Sequence, residues 1–99
     1  NLDIDLEKIG YQFCKTFLYL KNISIERKKE LLDYCAQQKN IVALTETIAS
    51  WDVELEFEVK TFNQLMEIMD NIRNNFQDIF RSFESIIITK ESGRIHLPR

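Results

Sequence analysis

Between Trp51 and Lys60 the sequence WDVELEFEVK alternates without a break. Trp51, Val53, Leu55, Phe57 and Val59 are large and apolar, while Asp52, Glu54, Glu56, Glu58 and Lys60 are charged. Successive side chains of a strand point to opposite faces, so the pattern predicts a strand with one apolar and one mostly acidic face. Upstream, Tyr11–Lys21 (YQFCKTFLYLK) follows Gly10 and is rich in aromatic and β-favouring residues, which predicts another strand. The character then changes. Ser24 suits an N-cap, Glu26 a first turn, and Leu31, Leu32 and Cys35 recur at helical spacing, predicting a helix from Ile25 to Gln38 closed by Lys39-Asn40. The β-branched run Ile41–Ala49 predicts a second strand, joined to Trp51–Lys60 as a hairpin by a very short connection at Ala49-Ser50. TFNQ reads as a capping box, with Thr61 as cap and Gln64 three residues on. Behind it Leu65, Met69, Ile72 and Phe76 share one helix face, with fraying expected near Arg73-Asn74-Asn75. Ile79–Lys90 predicts a fourth strand, and ESGRIHLPR a tail.

The resulting order is strand, helix, strand, strand, helix, strand. Right-handed crossovers then give an α+β fold, the ferredoxin-like βαββαβ sandwich: a four-stranded antiparallel sheet with both helices on one face. If Val53, Leu55, Phe57 and Val59 lie under the helices, Asp52, Glu54, Glu56 and Glu58 line the bare face. Carboxylates two residues apart are about 6.8 Å apart and repel by roughly 0.6 kcal/mol in water. The first strand is the third strand's neighbour in this topology, so Lys15 is a candidate counter-charge. That strand is apolar on both sides, with Phe13, Phe17 and Tyr19 alternating with Cys14, Leu18 and Leu20. A half-solvated strand shows polar alternation. The open face is therefore expected to be partly oily and covered by another subunit, the alternative being an acidic face simply left in water.

At 99 residues the chain fits one domain, and 44% hydrophobic with 29% charged residues is ordinary for a globular protein. No apolar run is long enough to span a bilayer and no signal peptide is evident, so a cytoplasmic protein without membrane contact is expected. Cys14 and Cys35 are then reduced thiols acting as small buried hydrophobes. A first residue of Asn1 rather than Met suggests a piece of something longer, or a processed form. Candidate chemistry is sparse. The single histidine, His96, lies in the tail, and no phosphate loop, nucleophile elbow or metal-spaced Cys/His cluster occurs, so neither enzymatic activity nor a cofactor or metal is expected. Met66 and Met69 read as core. An RNA-recognition platform would need bases where the third strand has acids, and a metallochaperone would need a C-x-x-C. The amino-acid-binding ACT domain shares the strand order and stays open as an alternative.

Three stretches, IGYQFCKTFLYLK, NIVALTETIASWDVELEFEV and SFESIIITKE, carry a resemblance. The chain resembles the C-terminal effector (RAM) domain of the Lrp/AsnC, or feast/famine, transcriptional regulators, in their archaeal flavour. Gly10-Tyr11, Ile41-Val42 and Trp51-Asp52 match the family's Gly-Tyr strand opening, second-strand start and aromatic-Asp hairpin in order and spacing. One position departs: Ala49 stands where the family hairpin has glycine. The resemblance implies that residues 1–10 are a linker from a missing N-terminal helix-turn-helix half, residues 11–90 an effector and oligomerisation domain, and residues 91–99 a tail. It further implies a homodimer, and higher oligomers, formed through open sheet faces. Phe13, Lys15, Phe17, Tyr19, Glu54, Glu56 and Glu58 would form the dimer interface. A small amino acid would bind between subunits near Ala49, Ser50, Trp51 and Asp52, with Ile86, Ile87 and Ile88 nearby. DNA would be contacted only through the missing half. Asp52 suits an α-ammonium group, though a turn carboxylate bonding backbone amides fits the position equally well. The alternatives are an ACT-type sensor of a metabolic enzyme and an assembly domain without ligand.

The formal charge is −3 and no basic run exceeds Arg27-Lys28-Lys29, whereas duplex binding requires a concentrated basic surface. The isolated chain is expected not to shift duplex DNA at physiological salt. Micromolar, salt-sensitive binding in a fluorescence titration would contradict this.

Overall fold

A computed structural model describes residues 10–48 and 52–88. Its elements are β1 (Gln12–Leu20), α1 (Ile25–Ala36), β2 (Ile41–Glu46), β3 (Val53–Val59), α2 (Phe62–Asn75) and β4 (Phe80–Ile88). The sheet order is β2-β3-β1-β4, with every neighbouring pair antiparallel. This is the ferredoxin-like sandwich that the element order predicts.

The two-residue period of β3 divides inside from outside. Val53, Leu55, Phe57 and Val59 are fully buried, together with Cys14, Leu18 and Leu20 of β1. Leu31 and Cys35 of α1 and Leu65, Met69 and Ile72 of α2 complete the core. Thr16 lies among them, and its hydroxyl hydrogen-bonds across the ladder to that of its register partner Ser85, at 2.7 Å. The pairing satisfies a polar group that would otherwise be costly to bury.

Both helix starts carry the expected caps. Ser24 Oγ accepts from Arg27 N–H, and Thr61 Oγ1 accepts from Gln64 N–H, each at 3.1 Å. Gln64 Oε1 accepts in return from Lys60 N–H at 2.8 Å, one residue before the cap. Arg27 ties α1 to the segment after α2. Its guanidinium bonds both oxygens of Asp78 at 2.9 and 3.0 Å, the carbonyl of Asn75 at 2.7 Å and Glu30 at 2.9 Å, and sits 4.4 Å from the centre of the Phe76 ring. That hydrogen bonding holds the Asp78 carboxyl below its usual range. Gly10, at the head of β1, has φ +87°, which favours glycine there.

Several element ends differ from the sequence reading, those of β1 and β3 by a residue or two. α1 stops at Ala36 rather than Gln38, because the N–H groups of Gln37 and Gln38 turn back to Tyr34 and Cys35 carbonyls at 3.2 and 3.1 Å. α2 does not fray at Arg73-Asn74-Asn75. Asn75 Nδ2 donates to the Asn71 carbonyl at 2.8 Å, Arg73 pairs with Asp70, and buried Phe76 anchors the end. The β2–β3 connection is longer than Ala49-Ser50: β2 ends at Glu46, β3 begins at Val53, and Thr47 N–H closes onto the Asp52 carbonyl at 3.2 Å. Ile79 belongs to the turn after α2, where its N–H bonds the Phe76 carbonyl at 3.0 Å, and not to β4. The linker up to Ile9, Ala49–Trp51, Thr89–Lys90 and the tail with His96 lie outside the described residues.

Cys14 and Cys35 are free and buried. Burial disfavours the thiolate, raising Cys14 and pushing Cys35 up to about 12 from 9.0. A raised thiol pKa gives stability that is complete below the unfolded value and lost as pH climbs towards the folded one. Between pH 9 and about 12 the fold should therefore lose on the order of 1.4 kcal/mol per pH unit through Cys35. Urea titrations across that range should show a shallower decline for Cys35→Ala than for the parent. Native protein should also resist thiol reagents until it unfolds.

Candidate functional site

The same alternation that buries one side of β1 and β3 presents the other side as a continuous surface. Phe13, Lys15, Phe17 and Tyr19 of β1 and Glu54, Glu56 and Glu58 of β3 are all half-buried on the face away from the helices. All seven residues expected at an interface thus share one face. Register places Phe13 opposite Glu58, Lys15 opposite Glu56 and Phe17 opposite Glu54. The Lys15 ammonium leans diagonally to Glu54, at 3.3 Å, as the strand order implied for a counter-charge. Glu56 and Glu58 have no ion pair among the described residues.

β4 and β2 extend this face with residues that the sequence reading did not single out. Glu84 lies opposite Phe17, Ser82 opposite Tyr19, and Ala43 and Thr45 opposite Glu56 and Glu54. The Tyr19 hydroxyl donates to Glu84 Oε1 at 2.8 Å, which raises its pKa. The two-residue period of FRSFESIII would have found Ser82, Glu84, Ile86 and Ile88. No such signal marks Ala43 and Thr45, because a register shift between Ile41 and Ala43 breaks the count along β2.

The expected effector residues are distributed differently. Ala49, Ser50 and Trp51 lie outside the described residues. Asp52 extends the β1–β3 ladder: its N–H donates to the Leu18 carbonyl at 2.9 Å, and its carboxylate oxygen Oδ2 accepts from Leu20 N–H at 2.9 Å. Among the described residues, no hydrogen bond to Oδ1 is recorded. Ile86, Ile87 and Ile88 lie level with Lys15, Cys14 and Phe13, roughly 16–22 Å from Asp52 by strand rise and spacing. One subunit does not bring the two groups together. Ile86 and Ile87 are about half exposed, at 46% and 49%.

The remaining surface offers little chemistry. Arg27, Lys28 and Lys29 are each engaged in an ion pair, with Asp78 and Glu30, with Glu46, and with Asp33 respectively. Among the described residues no group of His, Cys, Asp or Glu is placed to hold a metal, and no helix is long and apolar enough to cross a membrane. A concavity of about 850 Å³ along α2, lined by Lys60, Gln64, Glu67 and Asn71 among others, is a shallow open trough.

No family profile matches the chain, and no curated protein matches it. Solved structures do. An AsnC family transcriptional regulator from Agrobacterium tumefaciens superposes with a TM-score of 0.75 at 13% identity, over 85% of this chain and 54% of that one. The Neisseria meningitidis transcriptional regulator NMB0573, solved as an L-Met complex, gives 0.73 at 8% identity, over 86% and 55%. E. coli AsnC gives 0.71 at 16% identity, over 86% and 56%. The chain therefore has a fold found within AsnC-type regulators, and spans little more than half the length of these relatives.

Asp52 is held in place by backbone geometry whatever else it binds. Asp52→Ala leaves the part-buried Leu20 N–H without its acceptor and should cost about 1–3 kcal/mol in urea unfolding. Asp52→Asn keeps an acceptor oxygen and should cost less. Equal stability of all three proteins would show that the bond contributes nothing.

Proposed function

We propose that this chain is the effector-sensing and oligomerisation part of an Lrp/AsnC-like transcriptional regulator, and not an enzyme. The observation that carries the reading is the open face, where apolar side chains of β1 stand beside the carboxylates of β3 within a fold found in AsnC-type regulators. A face on which Phe13, Phe17 and Tyr19 are half-buried without helix cover fits a homodimer joined sheet to sheet, and such an interface buries on the order of 1,200–2,000 Å² in total. DNA contact belongs to another part of the full regulator, in keeping with the paired basic residues of α1.

A small amino acid would then bind between subunits at the 49–52 hairpin. Asp52 Oδ1 suits the ammonium group and hairpin amides suit the carboxylate. The L-Met complex of the Neisseria regulator supports a ligand of this class. Because Asp52 and Ile86–Ile88 are far apart in one subunit, an isoleucine at the site would come from a neighbouring dimer, and Ile87, level with Cys14 and so on the side away from the open face, is the one that sheet-to-sheet pairing leaves free. A second reading, assembly without a ligand, is favoured by the engagement of Asp52 with Leu20 N–H and by Ala49 at the family's glycine position.

Sedimentation should show a dimer at tens of micromolar, weakened by Phe17→Glu or Tyr19→Glu; a monomer throughout would remove the proposal. Among the twenty amino acids, a thermal-shift screen should find at least one that stabilises the parent and acts less on Asp52→Ala. If none shifts the parent, assembly alone is the function.

A further inference from the structure

The middle of the open face has an internal symmetry. Read across the sheet at one level, the residues are Ala43 on β2, Glu56 on β3, Lys15 on β1 and Ile86 on β4. The row runs small, acidic, basic, large. Turned over by 180° about an axis parallel to the strands between β3 and β1, it becomes its own complement: acid meets base, and small meets large.

This bears on how a second copy can dock. Two sheets packed face to face with strands nearly aligned are about 10 Å apart, and a two-fold axis between them lies along the strands or across them. An axis across the strands stacks each strand on itself. It would set Glu54, Glu56 and Glu58 against three more carboxylates, with desolvation strengthening the repulsion. An axis along the strands stacks β3 on the second copy's β1. Positions along the strand are then preserved, so residues paired in register within one chain face each other between chains.

We propose that the chain self-associates in the second way, with Lys15 of each copy bridging its own Glu54 and the second copy's Glu56. The inference rests on the sheet-to-sheet dimer above and specifies its axis and pairing. Three observations support it. Lys15 leans to Glu54 and leaves Glu56, directly opposite, without a cation among the described residues. Ile86, 46% exposed, is covered by the second copy's Ala43, where a small residue leaves room for it. At the next level Thr45 faces the second copy's Glu84 as a hydroxyl donor, and Phe17 faces the second copy's Glu54. Sheet twist displaces rows far from the axis, but Lys15 and Glu56 sit near mid-strand, where the displacement is least.

The test compares Lys15→Glu, Glu56→Lys and the double swap by sedimentation equilibrium at about 0.15 M salt, where the Debye length of about 8 Å confines the effect to facing charges. Each single variant should raise the dimer dissociation constant about tenfold or more, since it places like charges face to face. The double swap, with the parent's net charge, should return to near the parent value. An equimolar mixture of the single variants should form heterodimers tighter than either homodimer. Tighter self-association of Glu56→Lys than of the parent would overturn the pairing in favour of acid on acid. Parent-like dimers in both single variants would place the interface elsewhere. A monomeric parent would instead sink the dimer reading itself. Thermal melts establish folding, and if Lys15→Glu does not fold, the direction of change in Glu56→Lys alone decides between the two axes.

Discussion

The pairing of β1 with β3 holds the rest of the molecule in place. These are the two central strands of the sheet, and both helices pack their apolar stripes onto the side chains that this pairing turns inward. A slip of one residue would exchange the faces, sending Glu54, Glu56 and Glu58 under the helices and Leu55 and Phe57 into water. The cost of burying those unpaired carboxylates far exceeds that of any local adjustment, so the register has no near competitor. Asp52 reinforces it at the hairpin end, where both its N–H and its carboxylate bond β1.

The same constraint creates the open acidic and aromatic surface. Once β3 must bury Val53, Leu55, Phe57 and Val59, its acids can only stand on the open side. Once β1 lies beside it, Phe13, Phe17 and Tyr19 stand there too. A surface half acidic and half aromatic is poorly suited to water alone, and equally unsuited to stacking each strand on its own copy. Among the described residues Lys15 is the one cation set among the β3 acids of that surface, and in the proposed pairing it is what would make the face compatible with itself.

In the proposed site, Asp52 would combine a structural and a ligand-binding role in one side chain. Its Oδ2 accepts from Leu20 N–H, and that bond orients the carboxylate. A binding group whose rotamer is already held by the backbone loses little freedom when a ligand arrives. On the helical side of the molecule, the Arg27–Asp78 ion pair fastens α1 to the segment after α2.

What the sequence by itself determined was everything with a local period: the two faces of β1 and β3, the helical stripe of Leu65, Met69, Ile72 and Phe76, the caps at Ser24 and Thr61, and from their order the ferredoxin-like sheet. Those signals are legible because the alternation of a strand and the turn of a helix repeat within a few residues. Tertiary structure decided what depends on neighbours distant in the chain. α2 continues through Asn75 because Phe76 is buried there, and α1 ends early because carbonyls near its end capture the next amides. β2 is offset by an irregularity that only its pairing with β3 reveals, so Ala43 and Thr45 join the open face without any sign in their own sequence. The engagement of Asp52 with Leu20, the lean of Lys15 to Glu54 and the distance of Ile86–Ile88 from the hairpin were likewise out of reach, since each is set by register across strands and not by spacing along one.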